Sequence, residues 1–162
     1  MNVVIAILIG LAAASAGDEE ALLKKALYPL TEAIQKATVV AKEGVLVSAE
    51  LEDSDGKAVY VIEFAQEKKV IEIKLDAATG DLLTKEIEDE DKSDVVKACK
   101  LSLSKGIEVA VQKVPGKVLS AEAELEDGKS YFDVRVFGEG KVHRVKVHGV
   151  TGEVLSVKSK KS

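Results

Sequence analysis

Tryptophan is missing from this chain of 162 residues, aromatics make up 4%, and there are only two prolines, two histidines, one methionine and one cysteine. With so few rings, the core has to be built from aliphatic side chains. A single cysteine excludes an internal disulfide, and the two histidines have no His or Cys partner at metal spacing. Stability therefore rests on packing alone. Cys99 falls among Val95, Val96 and Leu103 at helical spacing, where it reads as a small buried hydrophobe.

What the chain does contain is 46% hydrophobic and 31% charged residues, the balance of a folded soluble protein. Residues Val3 to Ala13 form an apolar run that leads into Ala14-Ser15-Ala16 and then the charged Asp18-Glu19-Glu20. That order is expected of a secretory signal with an A-x-A cleavage site, so residues 1–16 are assigned as a signal peptide and Gly17 as the mature amino terminus. The apolar stretch is too short for a membrane span, which needs ~20 residues. No cysteine follows the cleavage point to take a lipid anchor. The expected location is secreted, periplasmic or cell-envelope.

The net charge of −5 conceals an asymmetry: residues 17–91 sum to −10 and residues 92–162 to +5. Opposite charges on the two halves favour their docking or a head-to-tail association. Arginines are not clustered and aromatics do not interleave with the basic residues, so nucleic acid is not an expected partner.

An internal repeat explains the two halves. Lys69, Val70, Lys74, Thr79, Gly80 and Leu83 recur 72 residues later as Lys141, Val142, Lys146, Thr151, Gly152 and Leu155. Lys24, Leu30, Ile34 and Ala37 recur 73 residues later as Lys97, Leu103, Ile107 and Ala110. Between these blocks Ala49-Glu50-Leu51-Glu52-Asp53 returns as Ala123-Glu124-Leu125-Glu126-Asp127. The chain divides into a first repeat, 17–91, and a second, 92–162.

Each repeat begins with helices. Leu22, Leu23, Ala26 and Leu27 predict a short one, Pro29 interrupts it, and Ile34, Ala37 and Ala41 mark the next. In the second repeat Ser104 is the expected N-cap before Ile107, Ala110, Val111 and Val114, and Pro115-Gly116 ends that helix. Strands follow by alternation: Val45, Val47, Ala49 and Leu51 on one face, then Tyr60, Ile62 and Phe64, then Ile71, Ile73 and Leu75, then a short segment Leu82 to Ile87. Their counterparts are Leu119, Ala121, Ala123 and Leu125, then Phe132, Val134 and Val136, then Val145 and Val147. Gly80 and Gly152 are expected at equivalent positive-φ turns. The predicted fold is α+β: two tandem repeats, each of helices followed by a three- to four-stranded antiparallel meander.

This pattern resembles the PepSY domain, the peptidase propeptide and YpeB-like family. The second repeat carries the resemblance at Ala110, Val114-Pro115-Gly116-Lys117-Val118, Glu126-Asp127-Gly128-Lys129 and Tyr131. The first carries it at Tyr60, Val61, Glu63 and Asp76-Ala77-Ala78-Thr79-Gly80-Asp81-Leu82-Leu83. Two departures stand out: Lys42-Glu43-Gly44 where Pro-Gly is usual, and His148 where the family has Asp. The resemblance implies a domain found in propeptides of secreted metallopeptidases and in envelope proteins, where it is proposed to inhibit or regulate peptidases.

No residue pattern points to catalysis. His143 and His148 are five apart on one strand, so they face opposite ways and do not share a metal. In the loop Glu52-Asp53-Ser54-Asp55-Gly56 the calcium-loop pattern fails at both anchor positions, Leu51 and Ile62, leaving an acidic hairpin turn. The run Glu86 to Asp91 reads as a solvated linker. A nucleophile elbow and phosphate-cradling loops are absent from the sequence. The expected function is a non-enzymatic module, without cofactor, that binds a protein or extended peptide, a peptidase among them. The alternatives are a structural or self-associating envelope protein and a carrier of a small ligand or metal.

Overall fold

The computed structural model describes residues 14–160, so the apolar run Val3 to Ala13 of the expected signal peptide lies outside the described residues. Helix α1 spans Ala16–Lys25. Ser15 caps it, accepting from the Asp18 amide while the Asp18 carboxylate accepts from the Ser15 amide, a reciprocal capping box. Among the described residues no helix is long and apolar enough to cross a membrane.

After α1 come α2 (Leu30–Ala41), then β1 (Val45–Ser54), β2 (Lys57–Gln66), β3 (Lys69–Asp76) and β4 (Leu82–Glu88). The second repeat follows the same order with α3 (Ser93–Ala98), α4 (Leu103–Lys113), β5 (Lys117–Glu126), β6 (Lys129–Gly138), β7 (Lys141–His148) and β8 (Val154–Ser159). The first two turns of each meander are tight two-residue loops, and the third spans five residues. At Asp55-Gly56 and Asp127-Gly128 both residues have positive φ, the hairpin geometry that matches strand twist. The Asp53 carboxylate accepts from the Gly56 amide at 2.7 Å, so the acidic residues of this loop build its turn.

The two predicted meanders are one sheet. Their first strands pair antiparallel, giving eight strands among the described residues in the order β4-β3-β2-β1-β5-β6-β7-β8. The seam is short, Ser48 to Glu122, Ala49 to Ala121 and Glu50 to Ser120. The bulges and the Asp-Gly turns of the two repeats lie 72 residues apart, so the structural equivalent of Ala49 is Ala121 and not Ala123 as the matching letters suggest; Ala49 meets that equivalent, and the two repeats are related by a local twofold through this pair.

One face of the sheet is covered by α2 and α4. Ala33, Ala37 and Ala41 of α2 pack on Tyr60, Ile62, Phe64, Ile71, Ile73 and Leu75. Leu103, Ile107 and Ala110 of α4 pack on Phe132, Val134, Val136, Val145 and Val147. Each large side chain buried here is worth roughly 1.5–3 kcal/mol against exposure. The alternation read from the sequence places all these strand residues correctly except in β1 and β5. There a bulge at Val47, and its counterpart at Leu119, inserts one residue and reverses the phase. Leu46 and Val118 consequently share the face of Phe64 and Val136, and Val45 is exposed.

Two helix assignments need correction. The N-cap of α4 is Ser102, whose hydroxyl accepts from the Lys105 amide at 3.1 Å; Ser104 lies inside the helix. Cys99 is not on one helix with Leu103. It caps the end of α3, and the chain turns before α4 starts, drawn in by the Gly149 carbonyl, which accepts from the amides of Lys100 and Leu101. The run Glu86 to Asp91 is a linker only from Asp89 onward: Glu86 and Ile87 lie in β4, as the segment Leu82 to Ile87 predicts, and Glu88 extends that strand.

Candidate partner-binding surfaces

Among the described residues the sheet does not close, so β4 and β8 each present an unpaired backbone edge. Every residue of β4 is exposed, including Leu82, Leu83 and Ile87, the last at 62%. On β8, Leu155 and Val157 are exposed. Register shifts at Leu83 and Leu155 bulge both edges near their first residues, leaving the rest of each strand regular.

The face opposite α2 and α4 carries rows of charged residues beside buried Val59, Val61 and Val70, and its charges are exchanged between repeats. Glu63 on β2 and Arg135 on β6 occupy equivalent positions. So do Glu19 on α1 and Lys92 at the start of α3. Lys92 pairs with Glu63 at 2.8 Å, and Glu19 pairs with Arg135. Each bridge runs from an acid of the first repeat to a base of the second, and each ties an entering helix across the seam. Glu50 and Glu122 lie between them. Burial, with Glu52 and Glu63 nearby, raises the Glu50 carboxyl above its usual range. Burial, with Glu50 and Glu124 nearby, does the same to Glu122.

Carboxylates continue outward on the first repeat, where Glu63 faces Glu72 and Glu72 faces Glu86. Glu72, Glu86 and Glu88 bring ligand oxygens within 4.8 Å of one another. On the second repeat the equivalent row is basic, Arg135 facing Arg144 and Arg144 facing Lys158. Asp133 pairs with Arg144, and Lys146 stacks 3.6 Å over the Tyr131 ring. The Tyr131 hydroxyl donates to Glu124, which holds that phenol far above its ordinary range.

A groove of about 580 Å³ lies between the α1–α2 elbow and α4, lined by Leu27, Tyr28, Ile34, Ile107 and Val111 with Lys117 at its rim. Its counterpart by the local twofold, at Val45, Val96, Cys99 and Leu101, holds about 230 Å³. The groove reaches Tyr60, whose hydroxyl donates to the Tyr28 carbonyl at 2.7 Å and whose burial pushes its pKa up to about 12.

The residues weighed for chemistry have structural partners. His143 is buried on the helix-covered face, with Nε2 3.1 Å from the Gly138 carbonyl and Nδ1 2.9 Å from the Ser159 hydroxyl. His148 lies on the opposite face beside Tyr131, so the two histidines are separated by the sheet. The Cys99 thiol is half-buried, and burial raises its pKa, although the Ser130 side chain beside it pulls the other way. These positions do not converge on one another. The exchanged charges were visible in the sequence only as a sum, and their pairing needed the seam.

Comparison with known proteins decides the family. The family described as "Peptidase propeptide and YPEB domain", PepSY, matches residues 27–86 and again 100–158. The chain belongs to the PepSY family. Each match covers one repeat from the end of its first helix to its last strand, so the PepSY unit here is one helix and one four-stranded meander. A crystal structure from Clostridium difficile 630, of a protein assigned as a lipoprotein, is 23% identical, with 83% of this chain and 94% of that one covered at a TM-score of 0.49. The Bacillus megaterium YpeB C-terminal domain is 18% identical, with 82% and 66% covered at a TM-score of 0.34. No curated protein matches.

Proposed function

We infer that this PepSY protein is an exported, non-enzymatic binding module that takes up an extended segment of a peptidase or a peptide noncovalently, restraining the peptidase. The observation that carries this reading is the edge strand β4, exposed over its whole length and, among the described residues, unpaired on its outer side. An edge of this kind recognises a partner by main-chain hydrogen bonds, with alternate side chains supplying selectivity. The family description, which names peptidase propeptides, supports the choice of partner. Export rests on the apolar run and the Ala14-Ser15-Ala16 site.

The test is capture of exported peptidases on the purified protein, followed by inhibition assays with variants of β4. Consecutive amides in a strand point to opposite sides, so one of Lys85 and Glu86 donates outward. Proline at that position should abolish inhibition while alanine leaves it nearly unchanged. Equal inhibition by folded proline and alanine variants at both positions would rule out strand addition on this edge.

A further inference from the structure

Eight antiparallel strands place β4 and β8 at opposite edges running in opposite directions. A second copy displaced along the sheet by its own width therefore meets the first with β8 against β4 in antiparallel sense. The second copy is turned by the twist accumulated over eight strands, so that the sheet continues with its ordinary strand-to-strand rotation.

We propose that copies of this chain associate edge to edge, β8 of one against β4 of the next, with Lys158 opposite Glu86 and Val157 opposite Ile87. Faces agree in this register. Glu86 lies opposite Glu72 and Lys158 opposite Arg144, both on the charged face, whereas Ile87 and Val157 lie opposite Ile71 and Val145 on the helix-covered face. The register also sets Lys85 against Ser159 and Glu88 against Ser156, clear of the bulges at Leu83 and Leu155.

Charge selects this pairing. The acidic row Glu63, Glu72, Glu86 ends at the β4 edge, and the basic row Arg135, Arg144, Lys158 ends at the β8 edge. Like charges directly opposite one another on neighbouring strands are unfavourable. The inner members have opposite charges at hand: Lys92 on Glu63, Lys74 on Glu72, Glu19 on Arg135 and Asp133 on Arg144. Glu86 and Lys158 have no ion-pair partner among the described residues. Each edge thus ends in the charge the other lacks.

Pairing like edges does not serve. With faces aligned, the central registers of β4 on β4 oppose Glu86 to Glu86, Lys85 to Lys85 or Glu86 to Glu88. Within β8 the only charge is Lys158, so β8 on β8 forms no ion pair. A β8-on-β4 contact is heterologous and leaves a free edge at each end, so it extends into open chains of copies rather than closing at a dimer.

This inference shares with the peptide-binding reading the premise that β4 accepts a strand, and association then competes with a peptide for that edge. Sedimentation of the full chain from micromolar to millimolar concentration, at low and high salt, tests it. Wild-type protein should form larger species as concentration rises, and salt should weaken them. Glu86→Lys and Lys158→Glu should each weaken association by about tenfold or more. An equimolar mixture of the two should restore it, because each variant then meets an oppositely charged edge on the other. Thermal melts establish that both variants fold.

A wild type that stays monomeric throughout, or oligomers indifferent to both reversals, overturns the proposal. The outcomes separate from those of the peptide reading. A monomeric protein that still binds a peptidase through β4 defeats self-association alone. Association rescued by the mixture upholds it whether or not any peptidase is bound.

Discussion

His148 holds the β7–β8 turn as Asp76 holds the β3–β4 turn. The Asp76 carboxylate accepts from the amides of Ala78 and Thr79 at 2.8 and 3.2 Å; His148 Nδ1 accepts from Val150 and Thr151 at 3.1 and 3.3 Å. A departure from the family residue thus preserves its geometry. The ring serves only with Nδ1 unprotonated, which places the neutral ring's proton on Nε2.

His148→Asp should accordingly keep the fold at wild-type stability or better. His148→Ala should cost about 1 kcal/mol, the usual net value of a lost hydrogen bond that anchors a turn. Chemical denaturation of both variants compares them directly. A loss with Asp as large as with Ala would show that the ring contributes something other than acceptance of these two amides.

At the tips of the same turns, Gly80 and Gly152 have φ of +77° and +76°. Valine at either should destabilise by at least ~1 kcal/mol, since a β-branched residue is strained there. The loss should be larger at Gly80, where an added Cβ would meet the Tyr28 ring at 2.7 Å, than at Gly152, where Leu101 stands 3.2 Å away. Melting temperatures of the two single variants give the order.

Gly106 reverses an ordinary expectation. Alanine in a helix interior is normally favoured over glycine by about 1 kcal/mol. In α4 an added Cβ would come within 2.5 Å of the buried Phe132 ring. Overpacking of this kind costs about 1–3 kcal/mol, so Gly106→Ala should be net destabilising. A stabilised variant would mean that the ring moves freely.

Glu50 and Glu122 give the pH dependence a sign. Their carboxyls are raised in the folded state, so the folded protein holds these protons more tightly than the unfolded chain does. Ionisation then costs stability. The penalty is complete above the raised folded values and disappears as pH falls to the unfolded carboxylate value of about 4.3. Glu50→Gln and Glu122→Gln should stabilise at neutral pH, and their advantage should vanish below that range. Urea titrations at neutral and acid pH measure both; an advantage that persists unchanged in acid would point to packing instead of charge.

Much of the fold could be read locally. The repeat, the helix order, the strand faces from Tyr60 to Leu75 and the Gly80 turn follow from patterns spanning a few residues. The union of the two meanders did not, because β1 and β5 carry the same alternation whether they stand at an edge or at the centre. The bulges at Val47 and Leu119 escaped because apolar residues on both faces there fit either phase. Ser102 and Ser104 both precede apolar residues at helical spacing, so only backbone geometry separates the cap from the residue inside. The open edges were implied by an unclosed meander, whereas the charge rows ending at Glu86 and Lys158 needed the full cross-strand register.

The exchanged bridges have a consequence for ancestry. In a symmetric dimer of identical single repeats, every contact across the axis occurs twice with the same residues. Two copies of the first repeat would set Glu19 against Glu63 twice over, and two copies of the second would set Lys92 against Arg135. The present charges suit only a mixed pair. Joining both repeats in one chain guarantees that each acidic half has a basic half beside it, and it lets mirrored positions drift to opposite charge. Holding both repeats in one chain thus makes between two distinguishable partners a contact that a homodimer would have to make with itself.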